Sequence, residues 1–143
     1  MESMDLRGLA ELDRQLETLL EQAPGRRREL HQRLGRAALA AIRGNTPRRT
    51  GRLASWQQLH IGSGGGYAAV RPQAGESGTK RPGAVTNCVE NGHRVRQGRS
   101  GRSRMRTPYV PGRRMYAQSV DEVERLATQE ARNMAEEIVE GLQ

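Results

Sequence analysis

The side chains best suited to chemistry fall in one stretch, Val85-Thr86-Asn87-Cys88-Val89-Glu90-Asn91-Gly92-His93-Arg94. Cys88 and His93 are both metal-ligand types. A zinc site needs about four ligands, however, and the other histidines, His31 and His60, stand elsewhere without paired spacing. A Cys88 thiolate with His93 as its base would need a third group to orient the base, and none is identifiable. Glu90 and His93 are the right types for general acid–base work, as in a nuclease. The favoured reading is plainer: Glu90 pairs with an arginine and His93 fixes a turn. No metal, cofactor or catalytic residue is expected.

Two other stretches could meet phosphate. Gly62-Ser63-Gly64-Gly65-Gly66 is glycine-rich, but it lacks the Gly-Lys-Ser/Thr ending and the following helix of a phosphate-binding loop. It reads as a turn. Arg94, Arg96, Arg99, Arg102, Arg104 and Arg106 form a dense basic block. Such a block can neutralise phosphates, yet it has no interleaved aromatic residue on which bases could stack. It is a solvated mobile loop or a segment that orders against a partner. Thr46-Pro47-Arg48-Arg49-Thr50-Gly51-Arg52-Leu53 is a basic junction. Pro47 stops a helix, Thr50-Gly51 turns the chain, and Leu53 starts a strand.

The elements that must hold these residues follow from apolar spacing. Leu6, Leu9, Leu12, Leu16, Leu19 and Leu20 recur at steps of three and four, the mark of one helical face. Pro24-Gly25 is expected to end that helix. A second helix is expected over 27–43, stopped by Gly44-Asn45-Thr46-Pro47. The alternation from Leu53 to Ile61 predicts a strand, with 67–71 returning as its hairpin partner. Residues 73–82 are loop material. Residues 84–89 predict a third short strand, closed by the Asn91-Gly92 turn. Val120, Val123, Ala127, Ala131, Met134 and Ile138 mark a C-terminal amphipathic helix. Ser119 and Glu122 resemble a capping box, although the helix could begin nearer Gly112. Strands grouped between helices predict α+β, a small antiparallel sheet packed with N-terminal helices and a long C-terminal helix.

Composition sets bounds on function. The 143 residues fit one domain, divided as N-terminal helices (1–45), sheet region (46–92), basic loop (93–109) and C-terminal helix (110–143). Leu, Ile, Val and Phe make up only about 17% of the chain, a share that borders on the disordered class. No apolar run reaches the length of a transmembrane helix, so no membrane partner is expected. The acidic, amphipathic first residues lack the secretory pattern. A single cysteine excludes an internal disulfide framework and fits a reducing cytoplasm. The formal charge of +8 is segregated: residues 24–60 and 92–115 are strongly basic, while 1–23 and 116–143 are acidic.

Three features stand in a particular order. A helical N-terminal region leads to TPRRTGRL with Ser55-Trp56. The Val85, Asn87, Glu90, Gly92, His93, Arg94 pattern follows. After the basic loop, Val110-Pro111-Gly112-Arg113-Arg114-Met115 opens the last helix. Over about residues 28–142 this order resembles the tail-completion family of tailed bacteriophages, the "gene product ten" family of HK-type lambdoid phages. By that resemblance Thr46, Pro47, Thr50, Gly51 and Leu53 match one family element. Glu90, Gly92 and His93 match a second, and Gly112 and Met115 a third. The resemblance implies a non-enzymatic virion protein of the head–tail junction, assembled in the bacterial cytoplasm. Its partners would be further copies in a ring, expected as a hexamer, and neighbouring connector, stopper, tail terminator or tail-tube proteins. Non-specific DNA contact in the channel would fall to the Arg94–Arg106 block. A terminator or stopper ring of the same neck is the near alternative, and a sequence-nonspecific nucleic-acid-binding protein the more distant one.

Overall fold

The computed structural model describes residues 7–75, 81–95 and 109–142. Its frame is two long helices. Helix α1 spans Arg7–Asn45, about 58 Å at 1.5 Å per residue. Helix α4 spans Met115–Glu140. They run antiparallel: Asn45 at the end of α1 meets Ser119 near the start of α4. Farther along, Arg33 Nη1 lies 3.4 Å from Glu130 Oε2.

The expected break at Pro24-Gly25 does not occur, and the two predicted N-terminal helices are one. Pro24 forfeits its own amide bond and crowds the Leu20 carbonyl. The surrounding Leu, Glu, Gln, Arg and Ala residues are strong helix formers on both sides. From Arg28 onward α1 also packs against the 3-10 turn Ser63–Gly65.

A short helix, α2 (Arg52–Trp56), leads into β1 (Gln57–Ile61). Leu53 therefore lies in a helical turn and not at the start of a strand. Gly51 enters this turn in the left-handed region, and its carbonyl accepts the Ser55 amide at 3.1 Å. Strand β1 pairs antiparallel with β2 (Ala68–Pro72), from Gln57 opposite Pro72 to Ile61 opposite Ala68. This is the predicted hairpin, shifted by one residue at its return.

Residues 84–89 are not a strand. They lie in helix α3 (Pro82–Asn91). Pro82 stands at its first turn, where a proline has no bond to lose. The helix turns Pro82 and Thr86 fully inward, with Val85 and Val89 half-buried. Strands β3 (Gly92–Arg94) and β4 (Tyr109–Pro111) then pair as a second small ladder. The chain is thus α+β, and its described residues form two two-stranded antiparallel ladders besides the long helices.

The core is thin. Among the described residues the buried apolar side chains are Ile42, Pro82 and Met115, joined by Thr46, Gln57, Thr86 and Ser119. No described helix is long and apolar enough to cross a membrane.

Candidate functional site

The three sequence elements meet at the start of α4. Thr46 follows α1 directly and is buried. Its hydroxyl donates to the Ile42 carbonyl at 2.6 Å and lies 3.4 Å from Met115 Sδ. One hydroxyl hydrogen serves one acceptor, so the shorter contact takes it and the sulfur packs against the oxygen. Asn45 Nδ2 donates to Ser119 Oγ at 2.9 Å, and Ser119 Oγ donates to the Met115 carbonyl at 2.8 Å. Ser119 is therefore an interior rivet and not a helix cap.

Glu90 supplies the cap. Its Oε2 accepts the Tyr116 amide at 2.9 Å, and its Oε1 accepts the Ala117 amide at 3.2 Å. The residue before α4, Arg114, makes no side-chain cap of its own. A carboxylate at this place satisfies otherwise orphaned amides and faces the positive end of the helix dipole. The backbone continues the join: the Arg113 amide donates to the Val89 carbonyl at 2.6 Å and the Arg114 amide to the Glu90 carbonyl at 3.2 Å.

This join is possible because two glycines face each other. Gly92 has φ +83, and a Cβ there would lie 2.6 Å from the Val110 carbonyl oxygen. A Cβ on Gly112 would run into the Glu90 carbonyl and lie 2.7 Å from Asn91 carbonyl carbon. Only glycine permits backbones this close. Tyr109 Oη closes the side by donating to the Asn91 carbonyl at 2.9 Å.

A polar centre lies beneath. Gln57 is fully buried. Its amide nitrogen donates to the Leu53 carbonyl at 3.2 Å and to Thr86 Oγ1 at 3.1 Å. Its amide oxygen accepts from the Tyr116 hydroxyl. Arg43 braces the same corner, donating to the Ala54 carbonyl at 3.1 Å and the Gln57 carbonyl at 2.8 Å. Burial, and then the nearby Glu90 charge, raise the Tyr116 phenol above its ordinary value. The phenol therefore stays a neutral donor.

Of the expected residues, Thr46, Glu90, Gly92, Gly112 and Met115 form this corner. Leu53 borders it half-buried, and its carbonyl serves Gln57. Pro47, Thr50 and Gly51 lie on the exposed connector. His93 and Arg94 are exposed on β3, their backbones opposite Val110 and Tyr109. Arg96, Arg99, Arg102, Arg104 and Arg106 lie outside the described residues, as does nearly all of the expected basic loop. Among the described residues Glu90 pairs with backbone amides and not with an arginine, and His93 sits in a strand and not in a turn. No hydrogen bond joins Glu90 to His93, which is exposed on β3. Among the described residues no group of three His, Cys, Asp or Glu could hold a metal.

Sequence reasoning missed Arg43, Asn45, Gln57 and Tyr116. A signal existed for Gln57, which shares strand parity with the inward Leu59 and Ile61. The corner also gathers charge. Arg48, Arg49 and Arg52 follow Thr46, while Arg113 and Arg114 precede Met115, and all five are exposed. The Thr46–Met115 contact thus brings the two basic blocks of the sequence to one end of the molecule. Comparison with known proteins finds no matching family model, no matching curated protein and no matching solved structure.

Proposed function

We propose that this chain is a structural subunit of a tailed-phage neck, a tail-completion protein that joins tail to head as part of a ring around the DNA channel. The observation that carries this reading is the order of the three sequence elements, TPRRTGRL, then Glu90-x-Gly92-His93, then Gly112-x-x-Met115. Their meeting at one corner gives that order a physical purpose: each element is needed to start α4 against α1. The thin core supports the same reading, because a subunit with few buried apolar side chains gains from neighbours that cover the rest. In this role the chain is not an enzyme. The ring is expected to be sixfold, and the terminator or stopper position in the neck is the near alternative.

The test is genetic and compositional. Deleting the gene in the phage or prophage that carries it is expected to yield filled heads and free tails that do not join. The chain should also be present in purified wild-type particles. Joined particles without the protein would overturn the reading. Replacing Arg94, Arg96, Arg99, Arg102, Arg104 and Arg106 with Ser is expected to lower joining while the circular dichroism of the subunit is kept.

The exposed arginine corner favours one second reading, non-specific DNA binding. It requires affinity for duplex DNA that falls steeply with salt, because released counterions drive such binding. Affinity that does not change between low and moderate salt would exclude it.

A further inference from the structure

Helix α1 outruns its partner. From the Asn45–Ser119 and Arg33–Glu130 contacts, the antiparallel helices advance residue for residue. The end of α4 at Glu140 therefore falls opposite about residue 22 of α1. Among the described residues, the stretch of α1 from Arg7 to about residue 21 projects beyond α4 as a helical arm, and Pro24-Gly25 marks its root. The arm carries a leucine stripe that no described element covers: Leu12 is 42% exposed, Leu16 44% and Leu20 74%. Glu11, Asp13, Glu17 and Glu21 flank the stripe, against Arg7 and Arg14 as the arm's basic residues.

At the opposite end of the molecule lies an unfilled apolar groove. It runs between α1, β2 and α4 as two hollows of about 240 and 270 Å³ that share Ala38, Val70 and Val123. Either hollow exceeds the roughly 150 Å³ that can hold a benzene ring. Tyr67 and Val120 stand on its walls about half exposed. Along α1 the groove reaches from His31 to Ile42, about 17 Å, and the arm from residue 10 to 22 is about 20 Å long.

We propose that the acidic leucine arm of one copy docks in the α1–β2–α4 groove of the next copy. The leucine stripe, the matching length and the arginines around the groove together select this occupant. The arm is acidic; the groove carries Glu124 on its α4 wall, while its α1 wall lies on the arginine-rich half of that helix and its end lies beside the arginine corner. The arm cannot reach its own groove, which begins some nine residues farther along the same rigid helix. The contact is therefore heterologous, between two different surfaces, and repeats head to tail until it closes. This inference rests on the ring within the proposed function and adds the surfaces that build it.

The test uses the full chain. In a Cys88→Ser background, Leu20→Cys and Val120→Cys are made as separate proteins, mixed and oxidised. A cross-link is expected from the mixture and not when Leu20→Cys is mixed with Arg132→Cys, which lies off the groove. A chain carrying both Leu20→Cys and Val120→Cys should give a ladder of covalent oligomers. Leu16→Glu with Leu20→Glu is expected to weaken association by about a hundredfold or more in sedimentation. Its circular dichroism should be unchanged, since both side chains are exposed in the subunit. A wild-type chain that sediments as a monomer at high concentration would overturn the proposal. So would an oligomer unaffected by the double substitution, or cross-linking that does not depend on the groove. Failure here with the protein still present in particles removes the docking mode alone. Docking by a protein absent from particles removes the neck reading alone.

Discussion

Glu90 does at residue scale what the local sequence of α4 fails to do. The two residues before Met115 are arginines, which repel the positive end of a helix, so the negative cap comes from 25 residues earlier in the chain. Glu90→Ala is expected to lower unfolding free energy by about 1–2 kcal/mol, read as a shift of the urea midpoint at constant slope. Glu90→Gln keeps an acceptor and should lose less. Gln57→Leu keeps the volume but strips partners from Thr86, Tyr116 and the Leu53 carbonyl. A loss of about 2–3 kcal/mol is expected, partly recovered when Thr86→Val and Tyr116→Phe are added. Tyr116 also sets an alkaline limit. Its folded-state pKa lies above the ordinary 10.0, so above pH 10 the unfolded chain releases this proton first and stability falls as pH rises. In Tyr116→Phe that part of the alkaline decline should disappear from a series of melts above pH 9.

Among the elements, those legible in the sequence had a pattern that tertiary contacts did not alter. The C-terminal helix and the 57–61 hairpin are of this kind, the one with apolar residues at steps of three and four, the other alternating around Gly62–Gly66. Residues 84–89 were ambiguous, because Val85 and Val89 suit a strand by type and a helix by spacing. The Pro82 start decides for the helix. Pro24 misled for the opposite reason: a local stop signal is outweighed by good helix formers on both sides. The corner itself was legible only as a list of residues, since nothing in the spacing of Glu90 announces a cap on Tyr116 and Ala117. Its two facing glycines make the element-scale prediction. Gly112→Ala drives a methyl into the Glu90 carbonyl and should cost about 1–3 kcal/mol, with a larger loss for Gly92→Ala because its φ is also positive. Pro24→Ala should instead stabilise the helix, by up to about 3 kcal/mol, and is checked by the rise in helical ellipticity and melting temperature.

Seen whole, the molecule is electrically polar along α1. Acidic side chains line the arm and run along α4 from Asp121 to Glu140, and arginines surround the corner where α1 ends and α4 begins. Self-association should therefore weaken with added salt, as contacts between separated charges are screened beyond about 10 Å at 0.1 M. Sedimentation between 50 and 500 mM salt checks this. The melting temperature should also rise with protein concentration, because neighbours cover apolar surface that the subunit leaves open. The β3–β4 ladder carries one more consequence. It pairs Arg94 with Tyr109, so whatever chain lies between them leaves and re-enters the frame at adjacent points. Closing a chain between fixed ends costs only about 0.6 kcal/mol more for each doubling of its length. The pairing thus fixes the two ends of that stretch without fixing its length. The helices, the capped corner and the groove can therefore keep their contacts when the number of residues between Arg94 and Tyr109 changes.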